Sequence, residues 1–159
     1  CAVAGITFID AELCQLYQWQ LWVEEHGRIW PSLPPLFASR CRAALCAQDS
    51  IPSQLQWQVV SALELLGLQP REEMRTVQGY SLDAVVRVDG RDVAVEVDGP
   101  SHFVGRSPTG ATALKRRQLR ATGWPLLAVP YWEWDELGNA AEYRSYLLRG
   151  LRDTVAAVA

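Results

Sequence analysis

Apolar residues at helical spacing mark the first third of the chain. The stripe begins after Asp10, which can cap a helix that runs to about Glu25 and ends at Gly27. Three prolines within residues 27–35 break this pattern and predict a linker. A short Ala-rich helix is expected to follow over about residues 36–47.

A third helix and then a set of strands are predicted in the rest of the chain. Ser53 is a good N-cap for a helix through Leu66, and Gly67 is its natural stop. From about Arg71 onward the pattern changes to short Val-rich runs that are typical of strands. The predicted strands are residues 71–78, ended by Gly79, then 80–88, 91–98 and 125–131. The remaining predicted helices are residues 110–122, ended by Gly123, and about Asn139 to Ala157.

This order of elements predicts an α/β fold. From residue 53 the order is αβββαβα, a mixed sheet flanked by helices, and residues 1–52 are expected to form an N-terminal helical extension. We therefore place the main domain at residues 53–159. No apolar run is long enough to span a bilayer, so no membrane contact is predicted. Because the chain begins at Cys1 rather than Met, we expect it to be a piece of a longer polypeptide.

The distribution of charge and the spacing of the cysteines indicate which ligands the chain could bind. The net charge is −3, which argues against indiscriminate binding to nucleic acid. Residues 105–125, however, hold five basic residues and no acidic one, so the positive character lies in one short segment. The four cysteines form no CxxC pair, which leaves a zinc site with little support and predicts reduced thiols.

The two central strands are predicted to form a hairpin that carries an acidic cluster. A two-residue turn at Asp89-Gly90 sets the register, in which Asp83 faces Glu96. Glu96 and Asp98 are two positions apart and share one face of their strand. Val93, Val95 and Val97 should fill the opposite face as core.

Like charges at this spacing destabilise a sheet unless something offsets them. Either one carboxyl holds a proton at a raised pKa, or Asp83, Glu96 and Asp98 together bind a hard cation such as Mg²⁺. A solvated acidic strand face is the plain structural alternative.

The segment after the hairpin supplies the candidate partners of this cluster. Lys115 is the one lysine of the chain, and as a compact charge it could stabilise a negatively charged transition state or remain a surface lysine. His102 could act as an acid or base, lie beside a bound metal ion, or form only a local hydrogen bond. Trp132 and Trp134 could stack on bases or pack in the core. The residues expected to contact phosphates are Arg106, Arg116, Arg117 and Arg120.

Several blocks at fixed spacing resemble the RAP domain over about residues 80–137. These blocks are Ser81-Leu-Asp83, Ala94-Val-Glu96-Val-Asp98-Gly-Pro-Ser-His102-Phe103, Gly110 to Leu119, Gly123-Trp124, and Val129-Pro130-Tyr131-Trp132-Glu133-Trp134. The resemblance implies a restriction-endonuclease-like fold, similar to PD-(D/E)xK nucleases and very-short-patch repair endonucleases. It also implies a role in organellar RNA processing, stability or translation, in a chloroplast or mitochondrion, with a helical repeat region upstream in the same polypeptide.

The resemblance also assigns roles to individual residues. Asp83 and Glu96 correspond to the two acidic motif positions, and Asp98 occupies the third, where an active nuclease motif has lysine. Lys115 is the candidate to replace that lysine, and Gln118 would orient the attacking water or the backbone. In that case Asp83, Glu96 and Asp98 would hold Mg²⁺ or Mn²⁺, and the domain would be a metal-dependent endoribonuclease.

The expected ligand is single-stranded organellar RNA, contacted through His102, Arg106, Lys115, Arg116, Arg117, Arg120 and Trp132. The alternative is a catalytically inactive protein-interaction module with a structural acidic patch.

Overall fold

The computed structural model describes residues 7–27, 31–47 and 52–158. The chain divides into two compact units, Cys1–Ser50 with Arg75–Tyr80, and Ile51–Met74 with Ser81–Ala159. The division of the chain at residue 52 stays a prediction. Among the described residues, no helix is both long enough and apolar enough to cross a membrane.

The first unit contains two helices that pack together, α1 (Asp10–Glu25) and α2 (Pro35–Cys46). The N-cap of α1 is Ile9 rather than Asp10, because the Glu12 carboxylate reaches back 3.0 Å to accept from the Ile9 backbone N–H. The side chains of Cys14 and Cys41 are buried and, among the described cysteines, form no disulfide. Cys1 and part of the predicted linker lie outside the described residues.

The second unit has the predicted mixed α/β architecture. Its first helix is α3 (Gln54–Leu65), and the Ser53 hydroxyl caps it by accepting from the Gln56 backbone N–H at 3.1 Å. The other helices are α4 (Gly110–Ala121), α5 (Tyr131–Asp135) and α6 (Ala140–Ala156). The strands are β1 (Arg71–Arg75), β2 (Ser81–Val88), β3 (Arg91–Asp98), β4 (Phe103–Val104), β5 (Ser107–Pro108) and β6 (Leu126–Pro130).

Four strands form one sheet in the order β1-β2-β3-β6, in which β2 and β3 are antiparallel and β3 and β6 are parallel. The hairpin register is the predicted one, from Val88 opposite Arg91 to Ala84 opposite Val95. It is fixed by the turn, where Asp89 and Gly90 have φ angles of 48° and 78°. Two positive φ angles in succession define the turn type whose twist matches that of the flanking strands.

The two faces of the sheet have different roles. Val93, Val95 and Val97 face the apolar core, as predicted, where they join side chains from α3, α6 and β6. The alternate residues of β3 face the other side, where α4 contributes the partners of Glu96 and Asp98. One face of β3 therefore stabilises the fold, and the other presents charged groups.

Three local predictions were wrong. Residues 76–78 are not part of the edge strand, because the Thr76 backbone N–H already bonds to Tyr80 O in a turn. Tyr131 begins a short helix instead of ending a strand. Residues 99–109, between the predicted strand 91–98 and the predicted helix 110–122, were expected to form a loop but contain a 3₁₀ helix, Pro100–His102, and the small hairpin of β4 and β5. Strands of two residues carry too few positions for a period-two pattern to be read.

Candidate functional site

The acidic cluster lies on strands β2 and β3 under helix α4. Asp83 accepts a hydrogen bond from the Val97 backbone N–H through Oδ2 at 2.7 Å. Glu96 and Asp98 are almost fully buried, with 4% and 2% of their surface exposed. Burial is the largest cause of the raised pKa of Asp83 and of Glu96, and the nearby charge of Asp98 adds to both shifts. The structure therefore brings together the three acids that the sequence singled out.

Helix α4 supplies the cations that offset these charges. Lys115 Nζ lies 2.5 Å from Glu96 Oε2, and Arg116 Nη2 lies 2.5 Å from Asp98 Oδ2. His102 adds a second contact to Asp98, with Nδ1 at 3.2 Å from Oδ1. Glu96 and Asp98 are thus paired with basic side chains of the fold and are not solvated.

Burial is the main influence on the pKa values of Glu96 and Asp83. Desolvation raises the pKa of Glu96 to about 8, although the nearby Lys115 ammonium opposes this shift. Desolvation also raises the pKa of Asp83, against the lowering effects of Lys115 and of the Val97 N–H. Glu96 Oε1 is buried and has no hydrogen-bond partner among the residues that the structure describes. A carboxyl group in this position either keeps a proton near neutral pH or can accept a contact from a bound group at Oε1.

The three carboxylates predicted to bind a metal ion are not all available for one. Within the described portion of the chain, no group of three or more His, Cys, Asp and Glu side chains is arranged to hold a metal ion. Both oxygens of Asp98 are engaged by His102 and Arg116. Asp83 and Glu96 Oε1 are not engaged by His102 or Arg116, and a metal site at these carboxylates stays a prediction.

Sequence reasoning missed a fourth carboxylate beside the cluster. Glu73 on β1 accepts from Gln56 Nε2 at 2.9 Å and from Ser81 Oγ at 3.0 Å, and it raises the pKa of Asp83. Its backbone has φ of 50°, which is unusual for glutamate. No sequence signal could have found this residue, because its position depends on the pairing of the edge strand and on α3.

The basic residues of α4 divide between two faces of the helix. Lys115 and Arg116 point to the sheet, together with the buried side chains of Thr112, Gln118 and Leu119. Arg117 and Arg120 are exposed. Gln118 is 3% exposed, as deeply buried as Glu96 and Asp98, and its role in orienting a water or the backbone stays a prediction.

The two tryptophans that follow β6 differ in burial. Trp134 is 1% exposed, stacks on Tyr143 with ring centroids 4.4 Å apart, and donates from Nε1 to Gln58 Oε1 at 3.2 Å. It is a core residue, the alternative that the sequence left open. Trp132 is half-buried and packs edge-on against Phe103, with centroids 4.3 Å apart. The exposed Arg106 guanidinium lies over the Trp132 ring at 5.8 Å.

Comparison with known proteins supports the resemblance found in the sequence. Residues 95–149 match the model of the RAP domain family, which confirms that resemblance and extends it beyond residue 137. A chloroplastic RAP domain-containing protein of Oryza sativa subsp. japonica is 45% identical over 76 residues, which cover 46% of this chain and 12% of that protein.

Two animal proteins match a longer part of the chain at lower identity. The mitochondrial FAST kinase domain-containing protein 3 of Rattus norvegicus is 27% identical over 142 residues, which cover 76% of this chain and 22% of that protein. The Mus musculus protein of the same name is 27% identical over 149 residues, covering 80% and 22%. The chain spans less than a quarter of the length of these relatives.

Proposed function

Because residues 95–149 match the model of the RAP domain family, we propose that this chain is an RNA-binding domain of an organellar protein that acts in RNA processing, stability or translation. The relatives whose names place them in chloroplasts or mitochondria support a location in an organelle. Single-stranded RNA is the expected ligand, and the rest of a longer polypeptide, including helical repeats, would supply target specificity.

The exposed basic face of α4 is the observation that carries this proposal. Lys115 and Arg116 point to buried carboxyl groups of the sheet, and Arg117 and Arg120 lie on the exposed face of the same helix. Arg106 adds a third exposed guanidinium within the segment that contains no acidic residue. Guanidinium groups match phosphate oxygens, and their displacement of counterions makes binding dependent on salt.

The test is the affinity for a short single-stranded RNA across a series of salt concentrations. Replacing Arg117 and Arg120 together by alanine should lower the affinity and reduce the salt slope by about 0.7 for each phosphate that the protein no longer neutralises. Arg144→Ala with Arg152→Ala is the matched control, because it removes the same charge from exposed positions of α6. Equal loss in both double variants would count against a specific basic face. No binding by the wild type at low salt would favour the protein-interaction module instead.

The same site supports a finer proposal, metal-dependent cleavage of RNA. Asp83 and Glu96 would hold Mg²⁺ or Mn²⁺, since Asp83 lies at the cluster and Glu96 Oε1 has no partner there. A divalent ion at such a site lowers the pKa of bound water and neutralises charge on the leaving oxygen. Asp98 would hold Arg116 and His102 in place rather than bind the ion, and Lys115 would stabilise negative charge.

Cleavage is tested with single-stranded RNA and Mg²⁺ or Mn²⁺, with the wild type beside Asp83→Asn and Glu96→Gln. The proposal expects products from the wild type and none from either variant, with RNA binding retained in all three. Wild-type protein that binds RNA and produces no cleavage with either ion would restrict the domain to recognition.

A further inference from the structure

We infer that Phe103, Tyr131 and Trp132 form a seat for one unpaired base of the bound RNA, beside the carboxylate cluster. This inference rests on the RNA-binding function proposed above and adds a subsite to it. We call these three residues the aromatic seat.

The topology of the sheet brings the aromatic seat together. Phe103 follows the carboxyl end of β3, and Tyr131 and Trp132 follow the carboxyl end of β6. Because β3 and β6 are parallel, with Asp98 opposite Pro130, these two ends meet at the same edge of the sheet. Ligands of sheets with parallel strands bind at such an edge.

The rings are arranged as a surface rather than as an internal stack. Trp132 is edge-on to Phe103 and also to Tyr131, at 4.3 and 5.2 Å between centroids, so its neighbours hold the plane of the indole. All three rings are only partly buried, whereas Trp134, two positions further on, is 1% exposed. A fixed and accessible ring at this edge has the properties of a platform for a base, which offers a π face whatever its identity.

The residue that covers Trp132 is held weakly. Arg106 lies in the turn between β4 and β5, 5.8 Å from the Trp132 ring centroid and 3.4 Å from Glu136 Oε1. Both members of this ion pair are more than two-thirds exposed, so the contact adds little stability. A base can therefore take the place of the guanidinium on the indole, and Arg106 can turn to the adjoining phosphate.

The cluster and the seat are connected through one side chain. Arg116 bonds to Asp98 and also lies over the Phe103 ring, with Cζ at 5.7 Å from the centroid. The base in the seat would thus lie next to the residue that neutralises the buried acid. Unpaired RNA fits this arrangement and duplex RNA does not, because a base must leave its stack to reach the indole.

The test uses short single-stranded RNA that carries 2-aminopurine, whose fluorescence is quenched when it stacks, at one position in each of a set of oligonucleotides. We expect quenching by the wild type at one register. Trp132→Ala should abolish that quenching and weaken binding roughly tenfold, and Trp132→Phe should retain most of both. A duplex of the same sequence should show no dependence on Trp132.

Two variants serve as controls, and a third tests the phosphate contact of Arg106. Trp57→Ala removes another tryptophan, 68% exposed on α3, and Val104→Ser changes the exposed neighbour of Phe103; neither should alter quenching. Arg106→Ala should keep the quenching and reduce the salt slope by about 0.7. A circular dichroism melt of each variant separates loss of the seat from loss of the fold.

The outcomes distinguish this inference from the function on which it rests. If Trp132→Ala binds and quenches like the wild type, while the Arg117 and Arg120 double variant loses affinity, the seat is wrong and RNA binding stands. If the wild type binds no RNA at low salt, the proposed function fails, and the seat fails with it.

Discussion

Lys115 Nζ and Glu96 Oε2, which come from helix α4 and the central strand β3, lie 2.5 Å apart. Glu96 is 4% exposed and the Lys115 side chain 26% exposed, so the contact is largely shielded from water. The one lysine of the chain thus has a structural partner as well as a candidate catalytic role.

Removal of the Lys115 charge should destabilise the fold. Lys115→Met leaves the buried Glu96 carboxyl without its cation, at an expected cost of about 1–3 kcal/mol in the free energy of unfolding. Denaturant titration measures this, with Arg120→Met as the matched control on an exposed position of the same helix. Adding Glu96→Gln to Lys115→Met should recover part of the loss, because the two residues are coupled. Equal stability of Lys115→Met and Arg120→Met would mean that the pair adds nothing.

Stability should fall as pH rises from about 5 to about 8. The pKa of Glu96 is about 8 in the fold, against an ordinary value of 4.5, so the folded state binds more protons in this window than the unfolded chain. The slope is at most about 1.4 kcal/mol per pH unit for one group. The raised pKa of Asp83 acts in the same direction, and the Lys115 ammonium opposes both.

Thermal melts across this pH range measure the dependence. Glu96→Gln should flatten it, whereas Glu64→Gln, at an exposed position of α3, should leave it unchanged. A dependence that survives in Glu96→Gln would assign it to another group.

Arg116 should affect stability more than RNA affinity. Its guanidinium bonds to Asp98, which is 2% exposed, so Arg116→Ala uncovers a buried carboxylate. We expect a lower melting temperature and an unchanged salt slope of RNA binding, in contrast to the Arg117 and Arg120 double variant. A reduced slope in Arg116→Ala would show that this arginine leaves Asp98 for phosphate when RNA binds.

Trp134 and Trp132 should separate folding from binding. Trp134→Ala removes a fully buried ring and should cost about 3–5 kcal/mol in the free energy of unfolding. Trp132→Ala, at a half-buried position, should cost much less. Chemical denaturation of the two variants side by side measures the difference, and equal costs would place Trp132 in the core as well.

The sequence predicted those features that depend on local pattern. The Asp89-Gly90 turn sets the hairpin register within a few residues, and the alternation of valines identified the core face of β3. The RAP resemblance followed from blocks of fixed spacing, and the family match confirms it.

Features that depend on docking between elements were beyond prediction. The face of α4 that meets the sheet decides that Lys115 and Arg116 are internal, and its helical period alone does not identify that face. Glu73 reaches the cluster only through the pairing of β1 and its contact with α3. The different burial of Trp132 and Trp134 follows from α5, a helix of five residues that the sequence pattern did not predict because it directly follows a strand.

The tight turn between β2 and β3 has a consequence for the order in which the chain folds. Its contacts span few residues, so the hairpin can form within microseconds, before the more distant α4 arrives. During that interval Glu96 and Asp98 lie together without their cations, and the solvent must screen them. We therefore expect electrostatic attraction to speed the docking of α4 on the hairpin. The rate constant of refolding should then depend on ionic strength more steeply than the rate constant of unfolding.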